Sequence, residues 1–107
     1  MVHYNREYHN IKAAQEKPDG LAVIGIFVSE SSFTENFALK PILSAIPKVI
    51  EFDKTTLINE PIILDHLIPK PNIFIQYKGS LTTPPCYESV KWILLGNPLR
   101  LSSKQVI

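Results

Sequence analysis

The chain has 107 residues, of which 45% are hydrophobic and 20% charged, and its formal net charge is +1. This length and composition predict one packed globular domain. The near-neutral charge argues against a nucleic-acid partner, which would require a basic face, and no apolar run approaches the roughly 18 residues of a transmembrane helix.

The first predicted elements are a strand end at residues 2–5 and a polar, partly helical connection over residues 6–17. Residues 18–20, Pro-Asp-Gly, have the composition of a turn. The continuous apolar run over residues 21–28 is rich in β-branched side chains, which is typical of a central strand covered on both faces. Gly25 within this run permits the close approach of a neighbour.

Apolar residues then recur at helical spacing over residues 34–46. Pro41 must lie in the first turn of this helix or kink it, and Pro47 is predicted to end it. Because prolines punctuate residues 48–71, that region is predicted to be irregular, with short extended pieces.

Three further strands are predicted at residues 73–77, 88–95 and 99–101. Ser102 and Gln105 have the spacing of a capping box, which predicts that a helix begins there. The chain is therefore expected to be rich in strands, with unpaired sheet edges that favour aggregation.

Residues 79–85, Gly-Ser-Leu-Thr-Thr-Pro-Pro, form the most distinctive motif of the chain. Each proline fixes φ near about −65° and removes a backbone donor, so such a loop can hold the hydroxyls of Thr82 and Thr83 still. By themselves, two loop threonines most often satisfy only their own turn. This motif, however, resembles the signature loop of the alpha-class carbonic anhydrases.

Other segments resemble the same family in the same order: residues 2–5 (Val-His-Tyr-Asn), 18–27 (Pro-Asp-Gly-Leu-Ala-Val-Ile-Gly-Ile-Phe), 88–93 (Glu-Ser-Val-Lys-Trp-Ile) and 101–105. The resemblance covers the chain and is weak between residues 29 and 70. It implies a mainly β (α+β) chain that is part of a large twisted, mostly antiparallel central sheet with short surface helices.

The resemblance also implies a zinc-dependent enzyme that reversibly hydrates carbon dioxide to bicarbonate. The family binds zinc through three histidines. The last of these lies three positions before the family residue that His3 matches, so its counterpart would lie before Met1. The glutamate that orients the hydroxyl matched by Thr82 also lies further upstream in the family. We therefore interpret residues 1–107 as a partial domain, truncated at both ends, which holds no zinc ligand and is inactive alone.

The resemblance assigns roles to individual residues. Thr82 matches the threonine that orients the zinc hydroxide, and Thr83 matches the next residue, which meets bicarbonate. Tyr77 matches a buried tyrosine with a supporting role. The apolar wall that receives carbon dioxide is matched by Val2, Val23, Leu81, Val90 and Trp92, although each of these is equally typical of an ordinary core.

Strand parity bears on the histidines. If a ligand histidine immediately precedes Met1, Val2 points to the ligand's face of the strand and His3 to the opposite face. His3 is therefore rejected as a metal ligand. His9 and His66 are expected at the surface, because they lie in a polar connection and an irregular region.

Cys86 is the single cysteine, so it cannot form a disulfide within this chain. It is either a buried thiol that packs as a small apolar group or half of a disulfide whose partner lies outside the chain. In secreted and membrane-anchored members of the resembled family, a cysteine at this place pairs with one near the N-terminus of the domain. This second alternative implies that the parent protein is extracellular or membrane-anchored. A cytoplasmic parent protein is not excluded by the sequence.

Two other functions remain open. The chain can belong to a carbonic anhydrase-like domain without activity, used for binding or adhesion, or it can be a mispredicted fragment without independent function. Three histidines upstream would favour the enzyme. The presence of Thr82, Thr83 and the apolar wall favours it as well, because a domain without activity has no chemical need of them.

Overall fold

Four strands of the described residues form one sheet. The computed structural model describes residues 1–71 and 73–106. The strands are β1 (Val2–Tyr4), β2 (Leu21–Ser32), β3 (Phe74–Gly79) and β4 (Val90–Ser102), in the sheet order β1-β2-β4-β3. β1 is antiparallel to β2 and β3 is antiparallel to β4, within a mixed sheet. The predicted mainly β, α+β class is confirmed.

The helices of the described residues are short. They are α1 (Ile11–Ala14), α2 (Lys40–Ala45) and the 3₁₀ turns Arg6–Tyr8, Phe37–Leu39, Ile46–Lys48 and Leu64–Leu67. None of these helices is long and apolar enough to cross a membrane. The predicted partly helical connection is confirmed, and α1 begins after Asn10, whose side chain accepts a 2.8 Å hydrogen bond from the Ala13 amide.

The chain divides into two compact units. One unit comprises Met1–Phe27 and Lys70–Asn97, and the other comprises Val28–Pro69 and Pro98–Ile107. Every candidate site residue identified from the sequence belongs to the first unit.

The register of β1 and β2 determines which residues of the first unit share a face of the sheet. Val2 lies opposite Val23, and His3 lies opposite Ala22. Directly opposed residues of an antiparallel pair point to the same face, and successive residues alternate. Val2 therefore shares a face with Val23, while His3 points to the other face.

Two glycines of the first unit are required by close packing. A Cβ atom at Gly20 would collide with the backbone carbonyl of Ala14, and one at Gly25 would lie 2.6 Å from Cδ2 of Leu94. The close approach predicted at Gly25 is confirmed.

Several strand boundaries differ from the prediction. β2 continues to Ser32 instead of ending at residue 28, and it is not covered on both faces, since Phe27 and Val28 are 56% and 55% exposed. The strand predicted at residues 73–77 is β3, shifted by one to two residues.

The two strands predicted at residues 88–95 and 99–101 are one continuous strand, β4. Its residue-by-residue pairing with β3 extends from Val90 to Leu95. Pro98, which has no amide to donate, lies within β4 beyond the residues paired with β3.

In the second unit, the helix predicted over residues 34–46 is divided into three pieces, with α2 between two 3₁₀ turns. Of the two alternatives for Pro41, the structure shows the first: it lies in the first turn of α2, where a proline without an amide costs no helical hydrogen bond. The prediction that Pro47 ends the helical backbone is wrong, because the second 3₁₀ turn continues to Lys48. The described residues from 49 to 71 contain no strand, and their helical piece is Leu64–Leu67.

Ser102 and Gln105 make polar contacts of a capping box without a helix. Oε1 of Gln105 accepts hydrogen bonds from the Ser102 amide at 3.3 Å and from the Asn36 amide at 2.7 Å. Its Nε2 atom donates to the Asn36 carbonyl at 3.0 Å. Residues 103–105 form a turn, so the helix predicted there is wrong over the described residues. Gln105 instead ties this turn to Asn36.

Candidate functional site

The threonine motif forms a closed loop between β3 and β4. The Leu81 amide donates to the Tyr87 carbonyl at 3.0 Å, and the Cys86 amide donates to the Thr83 carbonyl at 2.9 Å. The peptide bond between Pro84 and Pro85 is cis. Thr82 and Thr83 are both exposed residues of this loop.

Trp92 lies against the start of the same loop. Its indole Nε1–H donates to the Ser80 carbonyl at 3.2 Å. Its ring stacks on Tyr77, its cross-strand neighbour in β3, with 6.5 Å between centroids and 13° between ring planes. Tyr77 is itself 49% exposed, so it is not buried as the resemblance implied. The sequence reasoning placed Trp92 in the apolar wall and did not identify this hydrogen bond.

Four of the five residues assigned to the apolar wall belong to one hydrophobic cluster or pack against it. Val23 and Val90 are buried in one cluster with Ala14 and Leu21, and Leu81 and Trp92 pack against this cluster. Val2 lies opposite Val23 in the sheet but is 53% exposed. The wall residues therefore lie on one side of the sheet. Leu81 of this group directly precedes Thr82 in the chain, so the group lies next to the two threonines.

Tyr8 was not identified from the sequence, yet it packs against the same cluster. Its hydroxyl donates a 2.6 Å hydrogen bond to Oδ1 of Asp19, and this bond is the main reason why the pKa of Tyr8 lies above its ordinary value of 10.0. Tyr8 therefore stays protonated and donates to Asp19 throughout the neutral range. The only available signal was an aromatic residue among the charged residues of a connection, which does not indicate burial.

Comparison with known proteins identifies the family of this chain. The model of the eukaryotic-type carbonic anhydrase family matches residues 1–107. The chain belongs to this family. Carbonic anhydrase 6 of mouse is 34% identical over 107 residues, which cover 100% of this chain and 34% of the mouse protein. The dog protein of the same name is 37% identical over 105 residues, covering 98% of this chain and 33% of the relative, and the human one is 36% identical over 106 residues, covering 99% and 34%.

This carbonic anhydrase chain spans about a third of the length of the curated relatives it matches. Members of the family typically depend on zinc. Within residues 1–71 and 73–106, no group of three or more His, Cys, Asp or Glu side chains could hold a metal ion. The described residues thus do not fit zinc by themselves.

All three histidines are exposed. His3 is exposed and points away from the face that carries Val2 and Val23. His9 and His66 are both exposed, as expected for surface residues.

Cys86 is an exposed free thiol, so the alternative of a buried, packed thiol is wrong. Its φ of 57° lies in the left-handed region, which is uncommon for a residue other than glycine. The thiol is thus presented to solvent at the end of the threonine loop, where a cysteine from outside this chain could reach it.

Proposed function

We propose that this chain is a portion of a zinc-dependent carbonic anhydrase domain whose complete form reversibly hydrates carbon dioxide to bicarbonate. Membership of the family supports the reaction class. The observation that carries the proposal is the direct connection between Leu81, which packs on the buried apolar cluster, and Thr82, an exposed residue that carries a hydroxyl group. An apolar surface suited to carbon dioxide and a hydroxyl suited to an attacking oxygen are therefore one residue apart.

The residues of this chain have two tasks in the proposed reaction. The Thr82 hydroxyl accepts a hydrogen bond from the attacking oxygen and so directs one of its lone pairs toward the substrate carbon. Thr83 meets the polar product, bicarbonate. The apolar wall, Val2, Val23, Leu81, Val90 and Trp92, excludes water around the substrate, which strengthens the polar contacts within the site.

Zinc, when bound, generates a nucleophile from water at neutral pH. In this proposal, its ligands come from other segments of the complete domain, because residues 1–71 and 73–106 offer no suitable set. The contribution of this chain is therefore the orientation of the reacting groups and the exclusion of water.

A chimera tests the proposal. In it, this chain replaces the matching region of mouse carbonic anhydrase 6, and we refer to it below as the mouse chimera. We expect the mouse chimera to contain zinc and to hydrate carbon dioxide well above the buffer rate. The 107-residue chain alone is expected to bind no zinc tightly and to be no faster than buffer, measured by metal analysis and stopped-flow hydration.

Two outcomes would contradict this proposal. A folded mouse chimera that contains zinc but does not hydrate carbon dioxide would favour a binding or adhesion domain without activity. A tightly bound zinc ion in the isolated chain would contradict the assignment of all metal ligands to other segments. Unaltered mouse carbonic anhydrase 6 is the positive control for both measurements.

We further propose that Cys86 forms a disulfide with a cysteine outside this chain and that the parent protein is extracellular or membrane-anchored. The exposed position of the thiol supports the pairing, and disulfides persist in oxidising compartments. In the full-length parent protein, we expect Cys86 to react with an alkylating reagent only after reduction, as followed by peptide mass analysis. Alkylation of Cys86 before reduction would contradict the pairing.

A further inference from the structure

We propose that Trp92 is a positioning residue: its indole N–H holds the peptide group that precedes Leu81 and thereby sets the position of Thr82. This inference rests on the proposed function of the threonine loop. It assigns Trp92 a polar task in addition to its place in the apolar wall.

The peptide group between Ser80 and Leu81 is held from both sides. Its carbonyl oxygen, on Ser80, accepts the 3.2 Å hydrogen bond from Nε1 of Trp92. Its amide, on Leu81, donates the 3.0 Å hydrogen bond to the Tyr87 carbonyl. Because a peptide unit is planar, two bonds on its opposite ends fix the orientation of the whole plane. Once this plane is fixed, the position of the Thr82 hydroxyl depends only on the torsion angles of Leu81 and of Thr82 itself.

The orientation of the indole is fixed by β3. The ring of Tyr77 stacks on one side of it, with 13° between the planes. Gly79 leaves the space that the indole occupies, since a Cβ atom there would lie 2.9 Å from Cδ1 and 3.2 Å from Nε1 of Trp92. The indole is thus confined by two residues of the neighbouring strand with its N–H directed at Ser80.

This arrangement is more specific than packing requires. An apolar wall needs an aromatic surface at position 92, but it needs neither an N–H group nor a particular direction of that group. A wall residue acts on substrate binding, whereas a positioning residue acts on the rate at which bound substrate reacts. The two roles therefore separate in KM and kcat.

The test compares two ways of breaking the hydrogen bond in the mouse chimera. Trp92→Phe removes the N–H and keeps an aromatic ring. Replacement of Trp92 by 3-benzothienylalanine removes only the N–H and keeps the bicyclic shape, so it remains informative if the phenylalanine variant does not fold. We expect both to lower kcat about tenfold, the effect of losing one good hydrogen bond, with zinc content unchanged. KM should be unchanged in the benzothienylalanine variant, which keeps the shape of the wall, whereas the smaller ring of Trp92→Phe is expected to raise KM as well.

Gly79→Ala tests the same contact from the other strand, because it keeps the indole N–H but displaces the ring. It is expected to lower kcat by a similar factor. Asn97→Ala is the matched control. It also removes a hydrogen bond from a side chain of β4 to a backbone carbonyl, because Nδ2 of Asn97 donates to the Pro71 carbonyl at 2.9 Å, but this bond does not involve the threonine loop. We expect it to leave kcat unchanged.

Hydrogen exchange of the Leu81 amide gives a readout that is independent of activity. It should become faster in the two Trp92 variants and stay unchanged in Asn97→Ala. Unchanged exchange and unchanged kcat in the benzothienylalanine variant would overturn the inference, as would a rise in KM alone. If the mouse chimera itself has no activity, the proposed function fails. Faster exchange of the Leu81 amide in the Trp92 variants would even then support the inference that Trp92 fixes the Ser80–Leu81 peptide group.

Discussion

Replacing Thr82 by alanine is expected to lower the turnover of the mouse chimera about a hundredfold, which corresponds to about 2.7 kcal/mol of transition-state stabilisation. The proposed contact of the Thr82 hydroxyl is with the attacking oxygen, not with the metal. Zinc content should therefore be unchanged. Because the Thr82 side chain is exposed, its truncation removes little buried surface, and the free energy of unfolding should change little. Stopped-flow hydration, metal analysis and urea unfolding measure these three quantities.

Thr82→Ser is the matched control for this prediction. It keeps the hydroxyl and removes only a methyl group, so most of the turnover should remain. Full turnover in Thr82→Ala would mean that the threonine loop is structural, and its assigned role would then fail. A parallel loss of zinc from Thr82→Ala would instead indicate that the substitution disturbs the metal site.

The strands could be predicted where the pattern of side chains determines them. The β-branched apolar run after the turn at residues 18–20 is β2, and the alternation before Gly79 is β3. Boundaries were less predictable, because they depend on partners that are distant in the chain. Separate strands were predicted at residues 88–95 and 99–101, whereas β4 continues through residues 96–98, beyond the pairing with β3 that ends at Leu95.

The helical region of the second unit shows a different limit. Apolar spacing over residues 34–46 predicts helical backbone, which the structure has from Phe37 onward but not at residues 34–36. Of the two alternatives for Pro41, the first turn of α2 is the one found. The division into two 3₁₀ turns and one α-helix could not be predicted, because the difference between these helices is a shift of one residue in hydrogen bonding. The Ser102–Gln105 spacing predicts a cap, yet Gln105 also bonds to Asn36, a partner 69 residues away.

The candidate site, too, has a part that the sequence predicts and a part that it does not. Residue types in the motif predict the threonine loop, and the apolar residues Val23, Val90, Leu81 and Trp92 are found in one cluster. The two hydrogen bonds that fix the Ser80–Leu81 peptide group could not be predicted. Their acceptors are the backbone carbonyls of Ser80 and Tyr87, which any residue type would provide. The direction of the Trp92 N–H depends further on the cross-strand register with Tyr77.

The largest effect on the state of the molecule is expected for the isolated 107-residue chain, which should associate at micromolar concentrations instead of forming a stable monomer. β3 is one of the two edge strands of the described sheet, and its apolar side chains are exposed on both faces, with Phe74 at 54% and Ile75 at 64%. An exposed apolar edge offers unpaired backbone groups and a hydrophobic surface to a second chain. Sedimentation velocity over a range of concentrations should therefore show oligomers, and thermal unfolding should lack a sharp transition.

A pair of lysine substitutions separates the edge of the sheet from general hydrophobicity. Ile75→Lys places a charge on β3, where edge strands of natural proteins carry lysine to prevent pairing. Ile50→Lys introduces the same charge at a residue that is 79% exposed and lies outside the strands. Since both replace an exposed isoleucine, a larger shift toward monomer in Ile75→Lys would locate the association at β3. A monomeric unaltered chain with a cooperative thermal transition would instead mean that the described residues already form a self-sufficient fold.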